Sequence, residues 1–126
     1  MRLLFNINQP KTWIIDLDGT IVSHNGYKKG KDLLLDGVSD FFKKNINVND
    51  IVIITTSRQK KYKNQTIKFL KENEISYNYI IFDLPYGERI LINDNKPDGT
   101  ETTKCISLER NLGLQNIFVE SKYIDN

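Results

Sequence analysis

Three clusters of polar residues, each at the end of a short apolar run, hold the groups that could do chemistry. Asp16-Leu17-Asp18-Gly19-Thr20 follows Thr12-Trp13-Ile14-Ile15, Thr55-Thr56-Ser57-Arg58 follows Ile51-Val52-Ile53-Ile54, and Asn93-Asp94-Asn95-Lys96-Pro97 follows Arg89-Ile90-Leu91-Ile92. Carboxylates at i and i+2 share one side of an extended strand. Gly19 lets the chain turn sharply there, so Asp16 and Asp18 can approach one phosphate from different sides. A carboxylate is a weak nucleophile, and a magnesium ion bridging it to a phosphoryl oxygen removes the repulsion between the two anions. Magnesium takes hard oxygen ligands, usually one or two carboxylates with water and phosphate. Asp16 and Asp94 supply those carboxylates, with the backbone carbonyl of Asp18 as a third ligand. The Asp18 side chain is then left for proton transfer, as acid toward the leaving oxygen and as base toward the water that hydrolyses an aspartyl-phosphate. Thr56, with Thr55 as its rival, is placed to hydrogen-bond a phosphoryl oxygen. Lys96 or Arg58 is placed to neutralise developing charge.

For these groups to meet, the apolar runs must be parallel strands whose carboxyl ends border one crevice. Short, punctuated apolar runs with polar helical stretches between them read as an α/β fold. The expected architecture is a single Rossmann-like parallel sheet of about five strands flanked by helices. Those strands are Thr12–Leu17, central and covered on both faces, Ile51–Ile54, Tyr79–Phe82, Arg89–Ile92 and Thr103–Leu108. Val38, Phe41 and Phe42 fall at i, i+3 and i+4 of a short helix that Asp36 or Ser39 can cap. Residues Gln59 to Asn73 form a second helix, with Tyr62, Thr66, Phe69 and Leu70 or Ile67 on its apolar side. Between the first strand and the first helix, Ile21 to Leu35 contains the turn dipeptide Asn25-Gly26 and the basic stretch Lys28-Lys29-Gly30-Lys31, which reads as a hairpin or flap. Glu109 to Asn126 has no clear period and is left unassigned.

Composition narrows the remaining choices. A chain of 126 residues with 39% hydrophobic content suits one domain, residues 1–126, around one core. Eighteen basic and 16 acidic side chains give a net charge of +2, so the overall balance demands neither a nucleic acid nor an anionic membrane. Cys105 is the only cysteine, which excludes an internal disulfide framework and a cysteine-based zinc site, and suits a reducing, cytoplasmic setting. It is expected to pack in the fifth strand. The apolar start Met1 to Phe5 is ended by Asn6, Asn8 and Gln9, well short of a signal-peptide core. No run approaches the roughly 20 apolar residues of a membrane span.

The motif Asp16-Leu17-Asp18-Gly19-Thr20, a Thr56-Ser57-Arg58 at the end of the next strand, and Asp94 after a later one resemble the haloacid dehalogenase superfamily of phosphatases over about residues 12 to 108. The superfamily often has two adjacent acids where this chain has Asn93-Asp94, which leaves one metal carboxylate at that strand end. For the superfamily's phosphate-binding lysine the resemblance implies Lys96, with Arg58 and Arg89 as substitutes. The resemblance implies a magnesium-dependent phosphomonoester hydrolase acting through an aspartyl-phosphate on Asp16. By analogy its substrate is a small phosphorylated sugar or related metabolite. The gaps between motifs leave no room for a cap domain, so the site is expected to be open, covered by the flap or by a second subunit of a homo-oligomer. His24 and Lys28 of the flap, with Gly19 and Thr55, would then touch substrate. An open site also admits a polynucleotide end or a phosphoprotein, although the lack of a strong basic and aromatic surface argues against nucleic acid. A non-catalytic phosphate-binding module with the same fold is the alternative of a different class.

Overall fold

In the computed structural model, which describes residues 1–6 and 9–122, the elements follow the order β1 (Arg2–Asn6), β2 (Thr12–Asp16), α1 (Val38–Asn45), β3 (Ile51–Thr55), α2 (Lys63–Glu72), β4 (Tyr79–Ile81) and β5 (Phe118–Lys122). The chain is α/β, and the strand pairs among the described residues are parallel. β2, β3 and β4 form one sheet in that order, with Asp16 opposite Thr55 and Thr55 opposite Ile81, so three strands end together at the same edge of the molecule. β1 and β5 pair separately.

The helices face inward by their periodicity. α1 buries Val38, Phe41 and Phe42, while α2, preceded by a 3₁₀ turn over Lys60–Tyr62, buries Thr66 and Leu70. Neither Asp36 nor Ser39 caps α1. The N-cap is Gly37 at φ 76°, and an added Cβ there would lie 2.5 Å from the Gln115 backbone nitrogen, so close approach of the 113–115 loop selects glycine. Leu17, Ile21, Val38, Ile54 and Leu70 form the centre of one core that also takes in Leu114. Trp13 joins the two sheets, edge-on to both Phe5 and Phe41 at 5.7 Å between ring centroids. Its indole donates to buried Asp50, which also accepts from the backbone N–H groups of Lys11 and Asn47. The flap starts as an antiparallel bridge, Val22 with Leu34, and turns through a 3₁₀ segment at Gly26–Lys29.

The expected five-strand sheet is not what forms. Arg89–Ile92 and Thr103–Leu108 have no strand structure, and Ile90 and Ile92 are 82% and 91% exposed. A strand needs a neighbour for its backbone groups, and three apolar residues between turn formers do not by themselves supply one. β2 is consequently an edge strand of its sheet rather than a central one, with Ile14 exposed. Cys105 is exposed instead of packed in a strand. The two strands that sequence reading missed are β1, in the segment weighed only as a targeting signal, and β5, in the unassigned C-terminal stretch. Residues 123–126 of that stretch lie outside the described residues. Among the described residues no helix is long and apolar enough to cross a membrane.

Candidate active site at the ends of three parallel strands

The site begins where β2 stops. Leu17 N–H donates to the carbonyl of Thr55, the last rung of the ladder, and the chain then turns through Gly19 at φ 86°. The turn is closed by Ile21 and Val22 N–H groups donating to the Leu17 carbonyl and by Gly19 N–H donating to that of Val22. These bonds hold Asp16 and Asp18 on a rigid bend. The backbone carbonyl of Asp18 accepts no backbone hydrogen bond among the described residues. Asp16 is half-buried, and its side chain accepts a hydrogen bond from the Thr20 hydroxyl at 3.2 Å. Burial raises its carboxyl above the usual carboxylate range. The nearby negative charge of Asp18 adds to this, and Thr20, Arg89 and the Leu17 N–H only partly offset it.

Asp18 is held differently. Arg58 reaches its Oδ1 from Nη2 at 2.9 Å and from Nε at 3.1 Å, and the Thr56 hydroxyl donates to its Oδ2 at 2.8 Å. Thr56 in turn accepts from the Arg58 N–H, so the end of β3 and the end of β2 are stitched together side chain by side chain. The guanidinium is 1% exposed, and its other edge binds Asp32 of the flap from Nη1 at 3.0 Å and Nη2 at 2.7 Å, with Nη1 also donating to Thr66 of α2. Tyr27 of the flap lies 4.3 Å from the guanidinium carbon at its ring centroid. Burial works against the charge of Arg58, but its hydrogen bonds to Asp32 and Asp18 outweigh that and keep it cationic. The loop after β4 completes the stitch, with Asp83 and Leu84 N–H groups donating to the carbonyls of Arg58 and Thr56.

The structure thus brings Asp16, Asp18, Thr55, Thr56 and Arg58 together, but gives some of them work that sequence spacing did not foretell. Arg58 is fully engaged within the protein and is not free to neutralise a phosphate. Thr56 spends its hydroxyl proton on Asp18, and Thr55, buried as well, is the register partner of Asp16. Asp94 does not join the acids: it is exposed, its carbonyl held by the Thr102 hydroxyl, and no group of three His, Cys, Asp or Glu converges among the described residues. Lys96 is away from its expected place, its ammonium donating to Gln9 Oε1 at 3.1 Å. Arg89, the substitute, is exposed on a turn where it donates to the Pro85 and Gly87 carbonyls, and its charge is felt at Asp16. His24 is half-buried, and its backbone N–H donates to the Asn111 side chain; Lys28 is exposed beside Tyr27.

Two contributors were missed. Asp32 is the one acid closing the basic flap stretch Lys28-Lys29-Gly30-Lys31, and that isolated opposite charge was the available signal. Arg110 gave none. The turn that carries it docks on the motif loop, with Asn111 N–H donating to the Gly19 carbonyl, and its Cγ would lie 3.1 Å from a Cβ at Gly19.

No family model matches the chain, and no curated protein matches it significantly. Among solved structures, the chain is similar to one described as "Structure of the Pnkp1/Rnl/Hen1 RNA repair complex", at 27% identity and a TM-score of 0.50. The likeness covers 67% of this chain and 29% of that one, so the chain spans less than a third of its structural neighbour.

Proposed function

We propose that this chain is a magnesium-dependent phosphomonoester hydrolase in which Asp16 attacks the phosphoryl group, as the haloacid dehalogenase resemblance implies. The observation that carries the reading is the unequal treatment of two carboxylates on one rigid bend. Asp18 is clamped by Arg58 and Thr56, whereas Asp16 keeps only the Thr20 hydroxyl as a side-chain donor. A nucleophile needs free lone pairs, and a proton-transfer group needs a fixed orientation.

The Asp16 carboxylate and the unpartnered Asp18 carbonyl are hard oxygen donors of the kind magnesium takes, so the residues present suit the ion. Bound there, magnesium supplies charge neutralisation between Asp16 and the phosphate. Asp94 adds a second carboxylate only if Arg89–Ile92 moves toward the free edge of β2. The chain's own residues do the rest. Asp16 forms the bond to phosphorus, and Asp18 carries the proton to the leaving oxygen and later takes one from water. Thr55 donates to a phosphoryl oxygen, and Arg89 supplies positive charge.

A small sugar phosphate or related metabolite is the first substrate class. A phosphorylated polynucleotide end is the second reading, favoured by the neighbour from an RNA repair complex and by the basic groups Lys28 and Lys61 beside the edge-on Tyr27–Tyr62 pair near Arg58. The test is a magnesium-dependent screen of sugar phosphates, nucleotides and phosphorylated oligonucleotides, run beside Asp16→Asn. Turnover is expected on at least one class and to fall by at least roughly 10⁴-fold in the variant, the scale on which nucleophile removal acts. Turnover that survives Asp16→Asn refutes the mechanism, and none with any substrate favours the phosphate-binding module.

A further inference from the structure

We infer that Asp32, at the base of the flap, is a positioning residue for Asp18, acting through the Arg58 guanidinium. This rests on the hydrolase reading above and adds a residue to it. Arg58 stands between two carboxylates, with Nη2 shared: 2.9 Å to Asp18 Oδ1 and 2.7 Å to Asp32 Oδ1. The planar fork cannot move toward one acid without leaving the other, because its donors lie in fixed directions. Asp32 takes two of those donors, Nη1 and Nη2, and its side chain is 5% exposed against 14% for Asp18. Asp18 takes two donors as well, Nε and Nη2, so the two acids grip opposite edges of one rigid fork, and where the more deeply buried Asp32 holds that fork fixes where Asp18 points.

A second feature gives Asp32 its particular value. Proton transfer requires Asp18 to loosen from Arg58 at some point in the cycle, and a buried guanidinium stripped of its only carboxylate would be an unpaired charge in a dry site. Asp32 keeps the cation paired throughout, so Asp18 can change its bonding without the site opening. Thr66 and Tyr27 hold the same group but carry no negative charge. Asp32 also belongs to the flap, whose Ser23 N–H donates to the Leu33 carbonyl at its base, so the clamp makes flap position and Asp18 orientation one variable.

The experiment compares Asp32→Asn and Asp32→Glu with wild type in the full chain, using p-nitrophenyl phosphate with magnesium and kcat per folded molecule, the folded fraction taken from circular dichroism. Asp32→Glu keeps the charge, and with it the fold, while displacing the fork by about one methylene. It is expected to lower kcat about tenfold with KM within threefold, since misplacing a reacting group by about 1 Å can cost 10²-fold. Asp32→Asn is expected to lower kcat further, by about 100-fold, again with little change in KM. A residue that only stabilises the fold would reduce the folded fraction and leave kcat per folded molecule unchanged. Asp32→Glu at the wild-type kcat overturns the inference whether or not Asp32→Asn folds, as does a rise in KM at constant kcat. Absence of turnover in wild type overturns the hydrolase reading and the inference with it.

Discussion

The stretch from Thr12 to Phe82 and the stretch from Pro85 to Glu109 both mix charged groups with apolar runs, yet the hydrogen-bonded framework of the site is built from the first. In the first, the reacting groups sit on strand ends whose backbone is fixed by neighbouring strands, and Arg58 is bonded to β2, the flap and α2 at once. In the second, Ile90, Leu91 and Ile92 are exposed, and the side chains bond mainly within their own turns. Tethering by several elements, rather than residue type, separates the preorganised half of a site from the half that must be assembled. By sequence, Lys96 is the first choice for neutralising a phosphate, with Arg58 as a substitute. Burial on one side and a solvated loop on the other gave them unrelated roles.

The largest effect should come from removing the hub. Arg58→Met leaves Asp18 and Asp32 buried without a counter-ion, and breaking a buried pair in this way costs about 3–5 kcal/mol. A urea melt of the variant should show a loss of that size, and one below about 1 kcal/mol would erase the distinction between the two stretches.

Next in size is Asp50, the acid that ties Trp13 and the entry to β2 to the loop before β3. Burial pushes its carboxyl up, but hydrogen bonds from Asn47, Trp13 and Lys11, with the Lys11 charge, outweigh this and hold it below the usual carboxylate range. Asp50→Ala should cost about 2–3 kcal/mol, because three donors lose their partner. A group with a depressed folded-state pKa contributes stability above its unfolded value, near 4, and loses it as pH falls through the folded one. The gap in unfolding free energy between wild type and Asp50→Ala should therefore be full at pH 7 and shrink below about pH 4. A gap independent of pH would show that the carboxylate charge contributes nothing.

What was legible in the sequence follows the same division. Strands β2, β3 and β4, both helices and the flap could be read because β-branched runs, 3.6-residue periodicity and the Asn25-Gly26 turn are local signals. The Asp16-to-Thr20 bend was legible for the same reason. The clamp was not, since nothing local ties Asp32 to Arg58 across 26 positions. Nor was the pairing of Arg2–Asn6 with Phe118–Lys122, which depends on two segments more than a hundred positions apart. Arg89–Ile92 failed in the opposite sense. Its apolar run of three invites the same reading as Ile51–Ile54, but it lacks the neighbours on both edges that β3 has.

That failure leads to the smallest effect on stability and the sharpest test of the comparison. Ile90→Asp with Ile92→Asp places charges where the side chains are already exposed, so the unfolding free energy without magnesium should change by no more than about 0.5 kcal/mol. Among the described residues β2 has one unpaired edge, and it is the strand that carries Asp16. If Arg89–Ile92 adds to that edge when phosphate and magnesium are present, it carries Asp94 toward Asp16 as the second carboxylate. The paired aspartates, disfavoured in strands, would then raise the magnesium concentration for half-maximal turnover several-fold, with kcat at saturating magnesium largely kept. We expect that rise. An unchanged magnesium requirement would mean that Asp94 takes no part, and that Asp16 with the Asp18 carbonyl suffices to hold the ion.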